Sequence, residues 1–135
     1  MSDIEHIGVA VEDLKKAAEI FSDILGREPS GSEEVADQKV KVVFFTSEED
    51  SESGRIELVS PTDDKSPIKK FIDKQGGGLH HLALRVKNIE TKLAELKSKG
   101  YRLIDDKPRL GAEGKKIAFL HPSSTGGILI ELMEK

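Results

Sequence analysis

A chain of 135 residues fits one compact domain, long enough to bury a core without disulfides. The absence of Cys excludes thiolate metal sites, cysteine nucleophiles and a disulfide framework, and agrees with a reducing cytoplasm, the expected location. A net charge of −4 with both signs interspersed speaks against a nucleic-acid partner, and no apolar run approaches the roughly 20 residues needed to cross a bilayer. No basic segment followed by an apolar run opens the chain, so no signal peptide is expected.

Ile4 to Val11 alternates apolar with small or polar residues, the period of a half-buried strand. Glu12-Asp13 open a helix in which Leu14, Ala17, Ala18, Phe21, Ile24 and Leu25 form one apolar face, and Gly26 is placed to stop it. Residues 27–39 read as a short strand and a polar loop. Val40 to Phe45 is rich in β-formers, Ser47 to Gly54 is an acidic turn, and Arg55 to Val59 is a further strand ended by Pro61. Ser66-Pro67 starts a short helix, with Ser as N-cap and Pro at the first helical position, and Gly76-Gly77-Gly78 ends it. The pattern then repeats: strand 79–86, helix 89–99 with Gly100 as stop, a strand near 101–103, a loop over 105–114, strand 115–120, a turn over 121–126 and strand 127–132.

The repetition extends to individual residues. The stretch around His6 recurs around His81, 75 residues on, and Arg55-Ile56-Glu57-Leu58 recurs as Leu129-Ile130-Glu131-Leu132, 74 residues on. Gly26 and Gly100 match, as do Phe45 and Phe119 by the same offset. Two βαβββ modules, at about 4–60 and 79–133 with a joining segment at about 61–78, therefore account for the chain. The fold class is α+β, with two pseudo-twofold-related modules forming curved mixed sheets around a central cleft. Each half is too small to bury both faces of its sheet, so the two are expected to cover one another within a single domain, 1–135.

Each copy begins with a strand bearing a His and ends with a strand bearing a Glu. His6 and Glu57 are expected to neighbour each other on one sheet, and His81 and Glu131 on a facing one, so that all four meet in one cleft. A lone His near a strand start is usually an ordinary surface residue, and a lone strand Glu usually faces solvent. Both pairs at equivalent positions of a repeat, each Glu inside an apolar run, point instead to a metal site, because an inward carboxylate without a partner is costly. Two imidazoles and two carboxylates suit a divalent Mn, Fe, Co, Ni or Zn more than Ca or Mg, in a site that leaves positions open for substrate. His80, beside His81, should point to the opposite sheet face by strand alternation and be packed there. His121 reads as a turn residue. Gly76-Gly77-Gly78 and Gly126-Gly127 read as tight turns, since neither fits a phosphate-binding pattern. Lys65, Lys69, Lys70, Lys115 and Lys116 are candidates for holding an anionic ligand.

A doubled βαβββ module with these His and Glu positions resembles the vicinal-oxygen-chelate superfamily. Within it the chain is most similar to the methylmalonyl-CoA epimerases, over essentially its whole length. The segments that carry the likeness are Ile4 to Val11, Asp64 to Phe71, Gly77 to Ala83, Lys107 to Gly111, and Phe119 to Pro122 with Gly126 to Leu132. The resemblance implies metal ligands at His6, Glu57, His81 and Glu131, a CoA thioester substrate, a homodimer, and Glu131 as an acid/base. Some epimerases have Gln where this chain has Glu57. Some carry a further acid/base Glu in a Gln-Gly-Val-x-Glu context; the matching segment here is Gln38-Lys39-Val40-Lys41-Val42, so that position is Val42 and the role does not carry over. The expected reaction is epimerisation at C2 by loss and return of the α-proton. A glyoxalase-I-like isomerase on the same ligands, or a member that binds small molecules without chemistry, stays open at this point.

Overall fold

A computed structural model describes residues 2–135. Its strands are β1 (Ile4–Ala10), β2 (Gly31–Val35), β3 (Val40–Phe45), β4 (Arg55–Pro61), β5 (Gly78–Val86), β6 (Arg109–Leu110), β7 (Lys116–Leu120) and β8 (Ile130–Glu134). Its helices are α1 (Leu14–Leu25), α2 (Pro67–Gln75) and α3 (Ile89–Ser98). Asp13, Ser66 and Asn88 cap them by accepting backbone N–H bonds from Lys16, Ile68 and Thr91. Gly26 and Gly76 end α1 and α2 in the left-handed region, where a side chain would be strained.

All eight strands lie in one curled sheet of order β2-β3-β4-β1-β5-β8-β7-β6. The modules are therefore not two facing sheets. They meet edge to edge where β1 pairs antiparallel with β5, while within each copy the first and last strands run parallel. Curling, rather than stacking, brings the two halves of the inner face around a common hollow.

Strand alternation divides the core between the faces of this sheet. On the convex side α1 covers Phe45 and Leu58, and α3 covers Ala118, Leu120 and Leu132. On the concave side α2 places Ile68 and Ile72 against Ala10, Val42 and Val59. The joining segment therefore roofs the first copy's half of the hollow.

The second copy departs from expectation in three places. Residues 101–103 form no strand; Leu103 makes one bridge to Leu120, and the edge strand is the two-residue β6. The last strand begins at Ile130, three residues later than expected, because Gly126 and Gly127 adopt positive φ in the preceding turn. The equivalent of Phe119 is Phe44, not Phe45. Phe44 pairs with Glu57 and Phe119 with Glu131, whereas Phe45 faces α1; a one-residue slip moves a side chain to the other face.

Candidate active site

Glu57 and Glu131 sit on the inner strands β4 and β8, and His6 and His81 on the paired strands β1 and β5, so the seam between the copies gathers all four at the floor of the hollow. Three of them converge closely. His6 Nε2 lies 3.0 Å from His81 Nε2, and Glu131 Oε1 lies 3.5 Å from the first and 3.2 Å from the second. Ligands about 2.1 Å from a metal and at right angles to one another are about 3 Å apart, so this spacing fits three adjacent corners of an octahedron. Glu57 lies on the other side of the His6 ring, its Oε2 at 3.3 Å from Nδ1, and groups with His6 and Glu5. The donor set, nitrogen and oxygen with no sulfur, suits a borderline divalent ion.

Burial and proximity set the charges. Desolvation pulls His6 down, but hydrogen bonds to Glu131 and Glu5 and the charge of Glu57 outweigh it and raise its pKa to about 10. Burial lifts Glu57 to about 7, against the pull of His6. Burial lowers His81 to about 4, so its ring is neutral. For Glu131, burial is outweighed by the hydrogen bond from His6 and the charges of His6 and His81, which hold it below the usual carboxylate range.

Two neighbours of the cluster were missed or misplaced by sequence reasoning. Glu5 is fully buried, and its Oε1 lies 2.5 Å from His6 Nδ1. Arg55 approaches its other oxygen at 3.4 Å and Arg85 at 3.9 Å. His80 does not face away from His81: the two Nδ1 atoms are 2.9 Å apart, and the His80 ring packs edge-on against Phe71 of α2. Both results come from irregularities in the β1–β5 pairing. His6 pairs with Ala83 and Ile4 with Leu84, leaving Glu5 as an extra residue; Gly8 pairs with His81 and Val9 with Leu79, leaving His80 as another. A β-bulge lets consecutive side chains share a face. Gly8 is a further participant, since a Cβ there would lie 2.0 Å from the His81 ring.

A cavity of about 380 Å³ opens above the cluster. Val42, Val59, Ile68, Phe119 and Met133 make its apolar wall, and Lys39, Lys65 and Arg109 also line it. Of the other candidate lysines, Lys69 is engaged by Asp73 and Lys116 by Glu90. His121 caps the turn at Pro122–Ser124 by accepting from the Ser123 N–H, the turn role expected of it.

The model of the Glyoxalase/Bleomycin resistance protein/Dioxygenase superfamily matches residues 5–119. The mitochondrial methylmalonyl-CoA epimerase of Mus musculus is 38% identical over 96% of this chain and 71% of its own length. The chain belongs to the methylmalonyl-CoA epimerase family of that superfamily. A crystal structure of methylmalonyl-CoA epimerase from Mycobacterium tuberculosis superposes with a TM-score of 0.90 at 36% identity, covering 98% of this chain and 87% of that one. A variant of Streptomyces coelicolor methylmalonyl-CoA epimerase, in complex with 2-nitronate-propionyl-CoA, also gives 0.90 at 31% identity, over 100% and 95% of the two chains. Epimerases are isomerases, and this chain stands among them. It is a family member whose cavity wall is apolar at Val42. Among the described residues no helix is long and apolar enough to cross a membrane.

Proposed function

We propose that the protein interconverts the R and S forms of methylmalonyl-CoA by exchanging the proton at C2, with a divalent ion held by His6, His81, Glu131 and Glu57. The observation that carries this reading is the set of three donor atoms about 3 Å apart at the floor of a mostly apolar cavity, contributed by both copies of the module. The family's members, one of them bound to a propionyl-CoA nitronate, support the substrate class. The whole chain would act as one domain, as a cytoplasmic homodimer, which is what the family likeness and the lack of Cys favour.

The bound ion would supply Lewis acidity, stabilising negative charge on the substrate's thioester and carboxylate oxygens. Glu131, kept ionised by His6 and His81, takes the C2 proton on one face. Glu57 is its counterpart in the repeat. Return of a proton to the opposite face would fall to Glu57 or to a water molecule at the site. Val42, Val59 and Met133 keep bulk water from the reacting carbon, and Lys39, Lys65 and Arg109 suit the anionic groups of CoA.

The test is proton exchange at C2 of methylmalonyl-CoA in D2O, followed by NMR beside epimer conversion. Glu131→Gln should keep its far-ultraviolet spectrum and lose at least about a hundredfold in exchange. Glu57→Gln, which keeps an oxygen ligand, should retain metal, and its turnover separates the two proton sources. Undiminished exchange in Glu131→Gln would sink the assignment.

A further inference from the structure

The two bulges lie at equivalent positions of the repeat. Glu5 precedes His6, and His80 precedes His81, 75 residues further on. In each case the bulge turns the preceding side chain onto the inner face and sets an acceptor against the Nδ1 of the following imidazole, 2.5 Å away in the first copy and 2.9 Å in the second. A neutral imidazole that offers Nε2 to a metal must carry its proton on Nδ1, and that proton needs an acceptor. Glu5 Oε1 is one. His80 Nδ1 is the other, provided His80 carries its own proton on Nε2.

We propose that Glu5 and His80 are positioning residues, which fix the tautomer and ring orientation of His6 and His81 so that both Nε2 atoms face the ion. This deepens, and rests on, the metal-site reading given above. Glu5 has no slack: Arg55 and Arg85 hold its second oxygen, and Arg55 is in turn gripped at 2.9 Å by Glu113, from the 111–114 loop of the second copy. His80 is steadied differently, by the Phe71 ring 4.8 Å away on α2. The first copy's ligand thus has a charged acceptor and the second's a neutral one. Strand alternation without bulges would have pointed both acceptors at the convex face, leaving the His81 Nδ1–H without its partner and the His6 Nδ1–H with only Glu57, 3.3 Å away.

The experiment titrates the full-length apoprotein with Co²⁺ against a competing chelator, and records ¹⁵N shifts of the His6 and His81 ring nitrogens. Glu5→Ala and His80→Phe should each weaken Co²⁺ binding by roughly ten- to a hundredfold, the usual cost of losing such a partner. The ¹⁵N spectrum of His80→Phe should show the neutral His81 ring turning into a mixture of tautomers. Glu5→Gln and His80→Asn, which keep an acceptor oxygen in place, should recover most of the affinity. If Glu5→Ala does not fold, the contrast between His80→Phe and His80→Asn, at the more accessible of the two positions, decides the matter. A wild-type protein that takes up no Co²⁺ would remove the metal site itself. A wild type that binds Co²⁺ while His80→Phe and a folded Glu5→Ala bind it equally well, or acceptor-keeping variants that recover nothing, would overturn the positioning role and leave the site standing.

Discussion

The four proposed ligand residues do not hold their protons alike, and on that proposal metal uptake depends on pH in a calculable direction. His6, with its pKa raised to about 10, is protonated at neutral pH; Glu57 keeps a proton below about 7; His81, lowered to about 4, is already neutral. A metal ion displaces whatever protons its ligands hold, so affinity rises with pH. Between pH 7 and 10 one proton leaves, from His6, and the Kd should fall about tenfold per pH unit. Below pH 7 the proton on Glu57 leaves as well, and the dependence should steepen toward a hundredfold per unit. Calorimetric Co²⁺ titrations in buffers of differing ionisation enthalpy count the released protons directly. A flat profile from pH 6 to 9 would contradict these charge assignments. The sites of these residues were legible in the sequence because a repeat makes coincidence improbable: His6 and His81, Glu57 and Glu131 each occupy the same place twice. Glu5 was not legible, because alternation assigns the residue before an inward His to the outward face.

At the scale of elements, the β1–β5 pair is where pattern reading failed and where the site is made. A bulge leaves no mark on hydrophobic periodicity, and the two extra residues are polar ones that suit either face. Gly8 carried a weak signal, a small residue within a strand, whose meaning emerges only against its partner. It pairs with His81, and its missing side chain is the space the His81 ring fills. Gly8→Ala should therefore fold, with an unchanged far-ultraviolet spectrum, yet lose Co²⁺ binding by at least an order of magnitude, because a Cβ 2.0 Å from the ring forces His81 aside. Retained affinity would mean that the ring can sit elsewhere and still ligate. The short β6 was misplaced for a related reason. Arg102 and Leu103 have strand-like neighbours, but the chain there makes one bridge, and the two-residue edge strand that replaces it is below what periodicity can register.

For the whole molecule, the pattern predicted which faces are apolar but not which strands meet. Facing sheets and one curled sheet bury the same residues, and only hydrogen-bond partners tell them apart. The edge-to-edge join has a mechanical result: Arg85 of β5 donates to the carbonyl of Ser2 and to Ser53, Arg55 meets Glu113, and Arg109 meets Asp37, so polar ties cross between the copies besides the shared ladder. Both halves should therefore unfold together. Tyr101 fluorescence, which reports on the second copy alone, and helical circular dichroism, to which α1 and α2 of the first copy and join also contribute, should give coincident urea transitions; two separated midpoints would show that the copies are independent units.

The seam between β1 and β5 carries one more consequence, a historical one. Had a half-length ancestor closed the same hollow by pairing with its own copy, every change in one wall would have appeared in the other, because both walls were read from the same gene. Fusing the halves into a single chain frees them from this copying. Glu5 and His80 occupy one position of the repeat and differ, and among the described residues α2 roofs one half with no equivalent over the other. The inherited His and Glu pairs can stay constrained while the remaining walls drift separately, so a symmetric vessel becomes able to hold an asymmetric molecule in one orientation.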